Sequence, residues 1–119
     1  MEKYDKNNVF AKIIRGELSC RKVHEDENNI AFWSIEPKAP MHILALPKGE
    51  YIDYEDFILN ASDFEIISLN KFIIEVVKIT NLENGYRVIT NKGKDSGQSV
   101  FHLHFHILSK TVFQYDLDI

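Results

Sequence analysis

Apolar residues recur along this chain at two spacings, and the alternation between them predicts its elements. Val9, Phe10, Ile13 and Ile14 fall at helical spacing within residues 8–14, with Gly16 placed to end the helix. Residues 21–24 and 30–34 read as two short strands, joined by a polar turn carrying Asp26, Asn28 and Asn29. Pro37 and Pro40 bracket a loop, and residues 41–46 read as a further strand stopped at Pro47, Lys48 and Gly49. The longest predicted element is a helix opening at Ser62, which has the spacing of a capping box with Glu65. Its apolar residues are Phe64, Ile66, Ile67, Leu69, Phe72, Ile73, Ile74, Val76 and Val77. They spread over an arc of roughly 220°, wider than one face of a surface helix. Ser68, Lys71, Glu75 and Lys78 leave only a narrow polar stripe, so the helix needs cover from two sides. In so short a chain a second subunit is the expected cover; a long loop folding over the helix is the alternative. After Gly85, residues 86–91 read as a strand, 92–97 as a glycine-bearing polar loop, and 100–108 as the most regular strand of all. The order predicts one α+β domain over residues 1–119 with a mainly antiparallel sheet.

Composition narrows the class. The 119 residues suffice for a single domain, and 45% hydrophobic with 27% charged residues is the balance of a globular protein. No run approaches the roughly 18 apolar residues of a membrane span, and the polar N-terminus lacks the apolar core of a secretory signal. Cys20 is the only cysteine, which rules out an internal disulfide and makes the cytoplasm the expected compartment. It reads as a small packing residue. A net charge of −4 argues against nucleic acid or an anionic membrane as the main partner. A nucleotide stays compatible with it, because a few local donors can hold a phosphate.

The chemistry gathers in the last strand. His102, His104 and His106 alternate with Phe101, Leu103, Phe105 and Ile107, so the imidazoles share one face and the apolar side chains the other. Burying three imidazoles requires partners for six ring nitrogens, which a merely structural strand face does not need. Two functional readings compete. A His-x-His pair can place two nitrogens on a metal ion, but strand positions 102–106 span about 13 Å, so all three are not expected on one ion. A third or fourth ligand, such as His42 or a carboxylate, would have to come from elsewhere. Alternatively, one imidazole serves as a covalent nucleophile at phosphorus while its neighbours bind phosphate and move protons. The preceding turn favours the second reading. Gly97 permits close backbone approach to a ligand, successive N–H groups can form an anion-binding concavity, and Ser99 adds a hydroxyl donor.

Residues 97–108, Gly-Gln-Ser-Val-Phe-His-Leu-His-Phe-His-Ile-Leu, resemble the signature of the histidine-triad (HIT) superfamily. Residues 10–17, Phe-Ala-Lys-Ile-Ile-Arg-Gly-Glu, are similar to the opening helix of its Hint branch. Residues 32–48, from Phe-Trp-Ser-Ile to Leu-Pro-Lys, resemble the branch's central strand-loop-strand, and Asn91, Lys92 and Gly93 match the segment before the triad loop. The resemblance runs in order from about residue 7 to about residue 109. It implies a HIT-like fold: a five-stranded, mainly antiparallel sheet with a short N-terminal helix and one long central helix.

The resemblance also implies a reaction at the α-phosphorus of a nucleotide, with His104 as nucleophile and a nucleotidyl-histidine hydrolysed by water. By correspondence His106 contacts phosphate oxygens, His102 orients its neighbours, and His42 hydrogen-bonds within the cluster. Ser99 donates toward the leaving atom, and Asn91 with the N–H groups near Gly97 and Val100 holds the phosphate. The nucleoside pocket falls on Val9, Phe10, Ile13, Phe32, Trp33, Ser34 and Ile35, and His24 matches no motif position. A purine nucleoside phosphoramidate is the substrate class implied, with a dinucleoside polyphosphate, or a binding module with little turnover, as alternatives. The resemblance further implies a homodimer through the long helix and an edge strand, and no cofactor. Three positions depart from the Hint pattern. Ser34 replaces the aspartate that meets the ribose hydroxyls; Asn8 and Ala11 stand where zinc-binding relatives carry Cys-x-x-Cys, so no metal is expected; and the tail 109–119 lacks the usual Gly-Gly and Trp.

Overall fold

The structure, a computed structural model, describes residues 3–110; the predicted departure of the tail lies largely outside them. Helix α1 spans Val9–Ile14, with the Asn8 side chain accepting from the Ala11 N–H at 2.9 Å. Strands β1 (Lys22–Glu25), β2 (Asn29–Trp33) and β3 (Met41–Pro47) follow. Then come α2 (Tyr54–Asn60), α3 (Asp63–Ile79), β4 (Arg87–Ile89) and β5 (Phe105–Ser109). The five strands make one antiparallel sheet in the order β1-β2-β3-β5-β4. The expected α+β architecture, a five-stranded antiparallel sheet with a short N-terminal helix and one long central helix, is therefore the one observed.

The capping box forms: Ser62 Oγ accepts from Glu65 N–H and Glu65 Oε1 accepts from Ser62 N–H, both at 3.1 Å. One face of α3 buries Leu69, Phe72, Ile73, Val76 and Val77 against Ala31, Ile43, Ala45 and Ile107 of the sheet, with Phe57 of α2 beside them. Phe64, Ile67 and Ile74, on the remainder of the wide apolar arc, are exposed. The opposite sheet face carries Ile30, Phe32, Leu44 and Leu46 and is covered by Phe10, Ile13 and Ile14 of α1, with Cys20 at its margin. Burial pushes the Cys20 thiol up from its ordinary range, in keeping with a packing role. Among the described residues no helix is long and apolar enough to cross a membrane.

Two differences from the sequence reading matter for the site. Helix α2 lies where no element was expected, started by Asp53, whose side chain accepts from the Asp56 N–H at 2.9 Å. The last strand begins only at Phe105, not at residue 100. The residues before it spend their backbone groups elsewhere: Leu103 N–H donates to the Tyr51 carbonyl at 2.8 Å, and the His104 carbonyl accepts from Thr90 Oγ1 at 2.8 Å. His102 and His104 thus stand ahead of the sheet ladder, and His106 alone of the triad lies on it.

Candidate active site

Alternation nevertheless survives through this irregular stretch. His102 and His104 are buried, His106 is half-buried, and Leu103 and Ile107 point into the α3 core. In register, His106 lies opposite Leu44, on the sheet face covered by α1. The ring of Phe10 stands edge-on to His104, with centroids 4.9 Å apart at 85°, and edge-on to Phe32 at 5.6 Å. Phe10 therefore packs the nucleophile candidate against the sheet, as offset and edge contacts favour.

The hydrogen bonds determine the protonation of every ring in the cluster. A carbonyl can only accept, so His104 carries its proton on Nδ1, which donates to the His102 carbonyl at 2.7 Å. His102 likewise carries its proton on Nε2, which donates to the Pro47 carbonyl at 2.7 Å. Its Nδ1 accepts from the Tyr4 hydroxyl at 2.5 Å. The Lys38 backbone N–H donates to His42 Nδ1 at 3.0 Å, so His42 is protonated on Nε2 and donates to His106 Nδ1 at 2.8 Å. That leaves the proton of neutral His106 on its Nε2.

Burial keeps these rings neutral. It is the largest cause holding His102 down at about 4, partly opposed by the Pro47 hydrogen bond. It is also the main cause for His106, at about 4, with proximity to His104 and His42 adding to it. His104 and His42 are lowered by burial as well. The result is a divided pair. His104 offers a bare Nε2, and His106, its ring centroid 5.1 Å away, offers an Nε2–H donor. His104 Nε2 has no hydrogen-bond partner among the described residues, yet it is not sealed off, since among those residues no fully buried side-chain nitrogen or oxygen lacks a partner. No group of three or more His, Cys, Asp or Glu among the described residues is arranged to hold a metal ion.

The preceding loop is ordered by one residue the sequence reading passed over. Gln98 is buried; its Oε1 accepts from Gly93 N–H at 2.8 Å and its Nε2 donates to the carbonyls of Ile52 and Val100. A polar side chain between two motif residues was the available signal. Gly97 takes φ +84°, a left-handed conformation that strains any other L-residue. Asn91 Nδ2 donates to the Ser96 carbonyl at 3.0 Å, so this amide braces the loop with one of its groups. Ser99 is exposed, its hydroxyl without a partner among the described residues, and Val100 packs against the apolar cluster that contains Phe10 and Phe32.

The expected nucleoside pocket is only partly assembled. Phe10, Ile13 and Phe32 share the triad's sheet face. Trp33 does not: it packs with the α3 core on the opposite face, with the Arg21 guanidinium 5.6 Å from its ring. Adjacent residues of a strand point to opposite sides, so Phe32 and Trp33 cannot line one pocket. Ile35 is 96% exposed and Val9 is 41% exposed. Ser34 Oγ accepts from the Glu36 N–H at 3.2 Å. His24, as expected, is no part of the cluster; it stacks on Phe72 and contacts Glu75 Oε1 at 3.0 Å.

Comparison with known proteins is consistent along the chain. The sequence profile of the HIT domain family matches residues 15–112. An uncharacterized 13.2 kDa HIT-like protein of Azospirillum brasilense is 48% identical over 107 residues, covering 89% of this chain and 88% of its own. Among solved structures, a HIT family hydrolase from Clostridium thermocellum superposes with TM-score 0.83 at 35% identity, covering 95% of this chain and 98% of that one. A histidine triad nucleotide-binding protein from Candida albicans gives TM-score 0.76 at 25% identity, covering 94% and 88%.

Proposed function

The chain belongs to the HIT domain family, and from that premise we propose that it hydrolyses a nucleotide conjugate at the α-phosphorus through a covalent nucleotidyl-His104. A purine nucleoside phosphoramidate is the substrate class. One observation carries the reading: His104 is neutral, with its proton committed to the His102 carbonyl, so its accessible Nε2 holds an in-plane lone pair. Relatives described as a hydrolase and as nucleotide-binding support it.

In the first step the Nε2 lone pair of His104 forms a bond to phosphorus while the phosphorus–nitrogen bond breaks. The departing amine takes a proton from solvent, while the exposed Ser99 hydroxyl donates a hydrogen bond toward the leaving nitrogen. The Nδ1–H bond to the His102 carbonyl strengthens as the ring becomes cationic. His106 Nε2–H and the backbone N–H groups that follow the Gly97 turn, those of Ser99 and Val100, meet the non-bridging oxygens as charge builds there; the N–H groups of Gly97 and Gln98 are committed to the Lys94 and Gly93 carbonyls. Water then attacks phosphorus and gives up a proton to solvent, the bond from phosphorus to Nε2 breaks, nucleoside monophosphate leaves, and His104 returns neutral. We further propose a homodimer in which a second copy covers Phe64, Ile67 and Ile74, exposed on α3 on the side of the sheet away from the triad; sedimentation of the purified protein tests it directly.

The test is to trap the intermediate. Incubation with adenosine phosphoramidate, acid quench and peptide mass spectrometry should find an adenylyl group on His104, absent from His104→Ala. Bound nucleotide with neither turnover nor adduct would overturn the proposal and leave a binding module. A rate comparison against a diadenosine polyphosphate ranks the two substrate classes.

A further inference from the structure

Tyr4 lies far from the triad in sequence, yet its hydroxyl meets a triad ring. We propose that Tyr4 is a positioning residue of the triad, its hydroxyl clamping His102 so that the His102 carbonyl stays aimed at His104 Nδ1. The proposal rests on the reading of His104 as nucleophile.

The segment ahead of α1 is tied down where it crosses the cluster. Lys6 Nζ meets both carboxylate oxygens of Glu50 at 2.8 and 2.9 Å, Arg15 Nη1 donates to the Lys6 carbonyl at 2.7 Å, and Asn8 Nδ2 donates to the Asp5 carbonyl at 2.8 Å. These contacts deliver the Tyr4 hydroxyl to His102 Nδ1 at 2.5 Å, with the two rings edge-on at 5.6 Å. The other ring nitrogen of His102 donates to the Pro47 carbonyl. A ring gripped at both nitrogens can neither flip nor change tautomer, and the peptide that bears it is held with it. That peptide's carbonyl is the group that sets the tautomer of His104. His102 is fully buried, so its part in the reaction runs through this carbonyl.

Tyr4→Phe removes the hydroxyl and keeps the ring contact. Nitrogen-15 spectra of the full-length parent should show His102 as the neutral Nε2–H tautomer with a hydrogen-bonded Nδ1. In Tyr4→Phe the Nδ1 resonance should move toward the unbonded value. On the phosphoramidate, kcat should fall about three- to tenfold, the scale of one neutral hydrogen bond, while KM changes by less than about twofold. In a His102→Gln background the same substitution should cost nothing further, since the path through His102 is already cut. An unchanged His102 spectrum, an unchanged kcat, a loss confined to KM, or an equal loss in the His102→Gln background would each overturn the proposal. A parent spectrum showing the Nδ1–H tautomer would overturn it without any variant. Should the parent turn over no nucleotide, the nucleophile reading falls by itself, and the spectra still decide whether Tyr4 holds the ring.

Discussion

Acidification should weaken this fold through His102, and the size of the effect follows from its burial. In the unfolded chain its imidazole takes a proton near the ordinary 6.5; in the folded chain it does so only at about 4, because a charged ring would lie in an apolar site. Between those values the unfolded state holds the extra proton. The stabilisation is therefore complete above about 6.5 and is lost as pH falls toward 4. At about 1.4 kcal/mol per pH unit, the full contribution of this ring is about 3 kcal/mol. His102→Gln removes the titration but keeps a polar side chain. The variant should be the less stable protein at pH 7, where it has lost the Tyr4 and Pro47 geometry, and the gap should narrow by about 3 kcal/mol on approaching pH 4. Urea titrations of both proteins at half-unit steps from pH 4 to 7.5 give that gap directly. A gap that stays constant with pH, or widens as pH falls, would refute the assignment of His102 as a ring buried neutral.

His42→Ala should lower kcat about five- to thirtyfold with little change in KM, by freeing His106 to place its proton on the wrong nitrogen; steady-state kinetics separate the two parameters. Trp33→Phe should leave KM for the nucleotide within about twofold, whereas Phe32→Ala, on the triad face, should raise it; thermal melts would show whether Trp33→Phe acts on stability alone. Ser62→Ala should cost about 1 kcal/mol and lower Tm by a few degrees without altering the rate constants, as read by calorimetry and activity on the same sample.

Much of the architecture was legible because local chemistry and global packing agree. The Ser62 cap stands where its sequence context places it, and alternation correctly put the three imidazoles opposite Leu103 and Ile107. The long helix is apolar over a wide arc because one side faces the sheet, while Phe64, Ile67 and Ile74 stay exposed. Other features left no local trace. Helix α2 has seven residues, too few for a periodic pattern, and is held by Phe57 in the core. The late start of β5 depends on a bond from Leu103 to Tyr51, far back along the chain, which strand propensity does not register. Placing Phe32 and Trp33 in one pocket let motif matching override strand alternation. Tyr4 sits outside any motif; its meeting with His102 exists only once the chain has folded.

The bond between Leu103 and the Tyr51 carbonyl has a consequence for how this site tolerates change in length. Tyr51 is itself fastened to the start of α3 through Glu65, and a Cβ on Gly49 would come within 2.6 Å of its ring. Residues 47–51 thus behave as a ruler: one end meets the His102 side chain at Pro47, the other meets the Leu103 backbone. A single residue inserted or deleted there would misplace His104 about as surely as an insertion beside it, although the stretch carries no reactive group. In exchanging parts between related chains, this loop and the histidine segment would have to travel together.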